Sequence, residues 1–118
     1  MTQILIVEDD KSMRNLLKTL LEMEQFQVSV VDPQESSLII SSIRENQPDI
    51  VFMDVNLKGI SGLSILESIR VEPGIKSTKV IMTSGEDLRD PCLSAGANDF
   101  LLKPYMPAEL ITKLRNLA

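Results

Sequence analysis

The chain reads as an α/β protein, a five-stranded parallel sheet in a three-layer α/β/α sandwich. Five short apolar runs recur along it: Ile4–Val7, Val28–Val31, Ile50–Met53, Val80–Met82 and Phe100–Leu102. Each is too short for a helix, is rich in branched residues and lacks the alternation of a half-exposed strand. Each therefore reads as a strand buried on both faces. Segments of helical period separate the runs, and a β-α unit repeated five times implies a sheet covered on both sides by right-handed crossovers.

The elements follow in order. After the first run, Met13, Leu16, Leu17, Leu20 and Leu21 recur at i, i+3, i+4, i+7 and i+8, with Arg14, Lys18 and Glu22 on other faces. Asp10, near Ser12, reads as the cap of that helix. Leu38, Ile39 and Ile43 mark a second helix, which stops before Pro48. Leu63, Leu66 and Ile69 mark a third, closed by Pro73-Gly74. The fourth is shortened, because only about 17 residues separate Met82 from Phe100. There Asp90-Pro91 reads as an N-cap followed by proline at the first helical position, and Gly96 as the stop. Leu110, Ile111, Leu114 and Leu117 form the last helix, with Pro107 near its start and Lys113 and Arg115 near its end, where they suit the helix dipole.

Composition narrows the chemistry. The length of 118 residues suits one domain, 1–118. The longest apolar runs are four residues and nothing resembles a signal peptide, so a soluble, cytoplasmic domain without a membrane segment is expected. A net charge of −5 argues against direct nucleic-acid binding, which needs a basic face. Cys92 is the only cysteine and there is no histidine, which excludes a disulfide, a thiolate cluster and imidazole chemistry. What remains is carboxylate, hydroxyl and lysine.

In an open parallel sheet, ligands bind at the carboxyl ends of the strands. Glu8, Asp9 and Asp10 follow strand one, Asp54 follows strand three, Thr83 and Ser84 follow strand four, and Lys103-Pro104 follows strand five. Singly, each has an ordinary explanation as a helix cap, a loop hydroxyl or a solvated charge. Jointly, they crowd carboxylates around one lysine. Clustered carboxylates repel unless a cation joins them. Hard oxygen ligands without a dedicated cage suit Mg²⁺ better than Ca²⁺ or zinc, and Glu8, Asp9, Asp54 and Lys103 sum to roughly −2, which one divalent ion neutralises. The same acidic run disfavours a flavodoxin-type phosphate loop.

Five strings resemble a response-regulator receiver domain of two-component signalling, over essentially the whole chain. They are Ile4–Asp10 (ILIVEDD), Pro48–Asp54 (PDIVFMD), Asn56–Gly62 (NLKGISG), Val80–Ser84 (VIMTS) and Ala95–Pro104 (AGANDFLLKP). The resemblance implies a flavodoxin-like strand order, 2-1-3-4-5. It implies that Asp54 is the phosphoacceptor, attacking a phosphohistidine on a histidine kinase or histidine phosphotransfer protein. Glu8 and Asp9 match the acidic pair that holds Mg²⁺, Asp9 directly and Glu8 largely through water, and Asn56 matches the residue giving the metal a backbone carbonyl. Thr83 and Phe100 match the switch hydroxyl and aromatic. Lys103 matches the lysine that binds the phosphoryl group, and its bond to Pro104 is expected to be cis. Such a domain is a signalling phosphoprotein that assists its own phosphorylation and dephosphorylation, not an enzyme turning over a separate substrate.

Two departures from the family pattern carry expectations. Lys58 replaces a usual proline, so the loop after Asp54 should be looser and an added cation should affect docking or phosphoryl lifetime. Thr83 to Lys103 spans 20 positions, short for the family, with the deficit in the fourth helix. The expected oligomeric state is a monomer or weak dimer, and the domain is either a stand-alone receiver or part of a longer regulator. Two alternatives are a pseudo-receiver used only for docking and a haloacid-dehalogenase-like phosphatase. The latter fits poorly, since its nucleophile follows strand one and its fold carries a cap. Tyr105-Met106-Pro107 and Lys11-Ser12-Met13 border the site and suit docking on a helical phosphotransfer bundle; otherwise Met13 and Met106 fill gaps in the core.

Overall fold

The computed structural model of the chain describes residues 1–118. It runs β1 (Gln3–Val7), α1 (Lys11–Met23), β2 (Gln27–Val31), α2 (Ser36–Asn46), β3 (Ile50–Asp54), β4 (Asn56–Leu57), β5 (Ile60–Ser61), α3 (Gly62–Val71), β6 (Lys79–Ser84), α4 (Arg89–Ser94), β7 (Asp99–Leu102) and α5 (Pro107–Leu117). Five parallel strands pair in the order β2-β1-β3-β6-β7, the expected 2-1-3-4-5 once the small hairpin β4-β5 is set aside. The order reverses between β1 and β3, which opens a crevice at their carboxyl ends.

Strand periodicity divides the core in two. Ile4, Ile6, Ile50, Phe52, Ile81 and Leu101 face Leu17 and Leu21 of α1 and Leu110 and Leu114 of α5. The intervening residues, among them Leu5, Val7, Val51, Met53, Val80, Met82 and Phe100, face α2, α3 and α4. Both faces of the central strands are covered, so their sequences are continuous apolar runs rather than alternating ones.

The structure corrects several sequence expectations. β2 is not buried on both faces; it pairs only with β1 at the sheet edge, and Val30 is exposed. At the other edge, Leu102 of β7 is exposed as well. On α2 the core face is Ile39 and Ile43, while Leu38, about 100° further round the helix, points outward. On α1 only Leu17 and Leu21 of the apolar stripe are buried, with Arg14 on the same face.

Asp90 is not the cap of α4. The helix begins two residues earlier, at Arg89, with Leu88 as N-cap and the Cys92 N–H bonded to the Leu88 carbonyl at 3.0 Å. Pro91 still lies in the first turn, where a missing N–H leaves nothing unpaired. The stop at Gly96 holds. Its φ is +107°, and the Gly96 and Ala97 N–H groups close on the Leu93 and Cys92 carbonyls at 3.1 and 3.0 Å.

The loop after Asp54 is not loose. Lys58 and Gly59, at φ 47° and 85°, turn the chain into the two-residue hairpin β4-β5, as type I′ turns require. Leu57 anchors it, fully buried.

Candidate functional site

Strand alternation explains why the polar side chains meet. Glu8 continues the period-two series of Ile4 and Ile6, Asp54 that of Ile50 and Phe52, Thr83 that of Ile81, and Lys103 that of Leu101. All four therefore project toward the α1/α5 side, just beyond the apolar core on that side. Asp54 lies opposite Thr83 in the β3-β6 ladder.

The Lys103 ammonium is hydrogen-bonded and ion-paired to Asp54 Oδ2, and it lies 3.9 Å from Glu8 Oε2. Asp54 Oδ1 accepts the Asn56 N–H at 2.9 Å, and Glu8 Oε1 accepts the Asp10 N–H at 3.1 Å. Glu8 and Asp54 are buried, each 6% exposed, whereas Asp9 is half-buried and has no cationic partner. Asp10 stands aside as the cap of α1, its Oδ1 accepting the Met13 N–H at 3.0 Å. The Lys103–Pro104 peptide bond is cis.

The two switch candidates are on opposite faces of the sheet, Thr83 on the side of Asp54 and Phe100 on the other, and the Thr83 hydroxyl is not bonded to Asp54. The Thr83 hydroxyl donates to the Leu101 carbonyl at 2.6 Å, bridging β6 to β7. Phe100 is buried, only 4% exposed, in the core on the α2/α3/α4 side.

Two residues, Arg14 and Gly62, have parts at the site that the sequence reading did not assign, while Tyr105 borders the site as expected. Arg14, buried on the core face of α1, donates from Nη1 to the Glu8 carbonyl at 2.7 Å and so fixes the start of the β1–α1 loop. Its spacing of three and seven from Leu17 and Leu21 was the available signal. Gly62 lies where a Cβ would overlap the Asp54 carbonyl oxygen, and its N–H bonds the Val55 carbonyl at 2.7 Å, holding α3 against the end of β3. Tyr105 packs edge-on against Phe52, with ring centroids 6.0 Å apart.

Electrostatics follow the crowding. Burial pushes the Glu8 carboxyl above its usual range and neighbouring Asp9 adds to this, with Asp10's N–H and Lys103 pulling the other way. Burial lowers the Lys103 pKa, but the bond to Asp54 and the charges of Asp54, Glu8 and Asp9 outweigh it and raise the ammonium above its usual range. Burial, reinforced by Glu8 and Asp54, pushes the Tyr105 phenol up to about 12.

No three acidic side chains converge as a ready-made metal cage. Mg²⁺ needs none, since it takes one or two carboxylates and keeps several waters. The all-oxygen set of Glu8, Asp9, Asp54 and the Asn56 carbonyl, with Asp9 unpaired, fits that ion. Beside the acidic group, Met13, Leu16, Leu20, Tyr105, Pro107 and Ile111 line an apolar groove of about 500 Å³ between α1 and the start of α5. Met13 and Met106 are exposed, so neither fills a core gap. No helix is long and apolar enough to cross a membrane.

The family model described as the response regulator receiver domain matches residues 4–115. The DNA-binding response regulator MtrA of Mycolicibacterium smegmatis is 32% identical over 115 residues, 96% of this chain and 49% of that protein. The chain spans about half the length of the curated relatives it matches. A CheY-like response regulator receiver domain from Methylobacillus flagellatus has a TM-score of 0.86 at 31% identity, covering 100% of this chain and 99% of that one. The receiver domain of a sensor histidine kinase from Pseudomonas aeruginosa, solved with a magnesium ion coordinated in the active site cleft, has a TM-score of 0.85 at 27% identity, covering 98% and 96%.

Proposed function

This chain belongs to the response-regulator receiver family of two-component signalling, and from that premise we propose that residues 1–118 form a phosphorylation-dependent switch with Asp54 as phosphoacceptor. The observation that carries the reading is the Lys103 ammonium on the Asp54 carboxylate, beside Glu8 at the carboxyl end of the central strand. A buried carboxylate at the sheet's switch point, held by a lysine and fringed by acids, is a nucleophile awaiting a charged partner.

A bond forms from an Asp54 oxygen to phosphorus as the phosphorus–nitrogen bond of a partner's phosphohistidine breaks, and the imidazole leaves with the electron pair. The donor histidine lies outside these 118 residues, which contain none, and belongs to a histidine kinase or a histidine phosphotransfer protein. Such transfers depend on positioning and charge stabilisation. Asn56's N–H orients one Asp54 oxygen, and Lys103 exchanges its carboxylate contact for an equatorial phosphoryl oxygen. A bound Mg²⁺, held by Asp9, Asp54 and the Asn56 carbonyl with Glu8 through water, would offset the repulsion between these carboxylates and the donor.

The switch is a competition between hydrogen bonds. Thr83 gives up a neutral bond to Leu101, worth about 0.5–1.5 kcal/mol net, for one to a charged phosphoryl oxygen, worth about 1.5–3 kcal/mol. The difference favours drawing the loop after β6 toward Asp54 and repacking Phe100. The apolar groove beside the site suits a helical partner that delivers the phosphohistidine. The domain acts in the cytoplasm and assists its own phosphorylation and dephosphorylation.

Intact-mass measurement after incubation with Mg²⁺ and acetyl phosphate tests the proposal. One phosphoryl adduct on the wild type, absent in Asp54→Asn, is expected. No adduct, together with no Mg²⁺ binding, would instead support a docking pseudo-receiver.

A further inference from the structure

The β4-β5 hairpin places a cation at the mouth of the acidic site. Its tip residue, Lys58, shares an open cleft of about 460 Å³ with Asp9, Asp10, Lys11 and Ser12, and no apolar side chain lines it. The tip is well fixed. Leu57 is buried beneath it, the Val55 N–H bonds the Thr83 carbonyl at 2.9 Å, and the Gly62 N–H bonds the Val55 carbonyl at 2.7 Å. Yet Lys58 joins none of the chain's ion pairs, although two carboxylates line the same cleft. Lys103, on the Asp54 side of the site, is already engaged by Asp54 and Glu8.

We propose that Lys58 is a capture residue for the phosphodonor, an unpaired ammonium that meets an incoming phosphate dianion above the Asp9 edge and sets selectivity for anionic donors. This rests on the reading of Asp54 as phosphoacceptor. A dianion approaching Glu8, Asp9, Asp10 and Asp54 meets like charge on most sides. Lys58 supplies a compensating cation not already committed to the resting site. Lys58 makes and breaks no covalent bond. With acetyl phosphate, an Asp54 oxygen bonds to phosphorus, the bond from phosphorus to the acyl oxygen breaks, and acetate leaves with the electron pair. The same charge repels a metal ion at Asp9, so its removal acts with opposite sign on anion and cation.

The test compares wild type with Lys58→Ala, Lys58→Arg and Lys58→Glu. Alanine occupies the same left-handed turn position without adding to its strain. The readouts are the second-order rate constant for labelling by acetyl phosphate at fixed Mg²⁺, followed by intact mass, and Mg²⁺ affinity from chemical-shift titration of the Asp9–Ser12 amides. Lys58→Ala should slow labelling about threefold at low salt, as expected for one exposed charge. Lys58→Glu should slow it further and Lys58→Arg should restore it. The difference should close at about 0.5 M salt, where screening is short-ranged. Mg²⁺ should bind more tightly to Lys58→Ala than to wild type.

Labelling unchanged in Lys58→Ala, or labelling and Mg²⁺ affinity falling together as in a damaged loop, overturns the inference. An unlabelled wild type overturns the phosphoacceptor reading itself, a distinct result.

Discussion

The two ends of the sheet are built by opposite rules. At the amino end, polar groups satisfy one another: the Gln3 N–H bonds Asp49 Oδ2 at 2.7 Å, the Gln27 N–H bonds the Thr2 carbonyl at 2.9 Å, and Lys79 bonds the Leu117 carbonyl at the end of α5. At the carboxyl end, Glu8, Asp9 and Asp54 crowd one lysine, and Asp9 is left without a cation. The strands between are apolar and indifferent to which end carries chemistry. The difference is that one end closes its interactions internally, while the other keeps charge available for an incoming group.

The sharpest way to break this contrast is to exchange damage between the ends. Asp54→Asn should abolish the phosphoryl adduct completely in intact-mass measurement. Asp49→Ala should leave the adduct intact and cost about 1 kcal/mol by urea unfolding, the typical worth of one hydrogen bond. Equal loss of labelling in both variants would erase the distinction.

Gly62→Ala sharpens it on the structural side. Its methyl meets the Asp54 carbonyl oxygen, so about 1–3 kcal/mol of destabilisation and slower labelling are expected together. Arg14→Ala should cost a comparable amount, about 1.5–3 kcal/mol for a buried bond from a charged donor, again measured by urea unfolding.

Smaller effects separate charge from packing. Burial raises the Glu8 pKa, so the folded state disfavours the ionised form and loses stability as pH rises from the unfolded carboxylate pKa through the raised folded one. Glu8→Gln should therefore be more stable than wild type at pH 7, and the gain should shrink in acid, toward the unfolded pKa. Tyr105 is the only tyrosine, so an alkaline absorbance titration reads it alone. Its folded pKa is about 12 against about 10 for a free phenol, so the stability it contributes is present below pH 10 and lost as pH climbs toward 12. Titration at the free-phenol value would show that the Tyr105 phenol is neither buried nor close to the site's acids.

The sequence made the central strands and their polar ends legible, because burial on both faces and period-two alternation act locally. It was less informative where position within the sheet decides. Nothing in Val28–Val31 says that β2 is an edge, and nothing in Leu16 says that α1 presents it to a groove rather than to the core. The hairpin was missed because Lys58 was read as a lost proline; the Lys58-Gly59 pair, both residues with positive φ, is a turn signal in its own right. Asp90-Pro91 misled because a proline anywhere in the first turn is tolerated, not only at its first residue. Arg14 was read as surface by residue type, although its spacing placed it on the core face.

Locating the modification directly tests the central claim that the carboxyl end is a phosphorylation site built on one nucleophile. Borohydride reduction of the Mg²⁺- and acetyl-phosphate-treated protein converts an aspartyl phosphate to homoserine, and peptide mass spectrometry then reads the position. The account predicts homoserine at residue 54 alone, lost when Mg²⁺ is withheld. Homoserine at Asp9 or Asp10, or a phosphoryl adduct that survives Asp54→Asn, would contradict it.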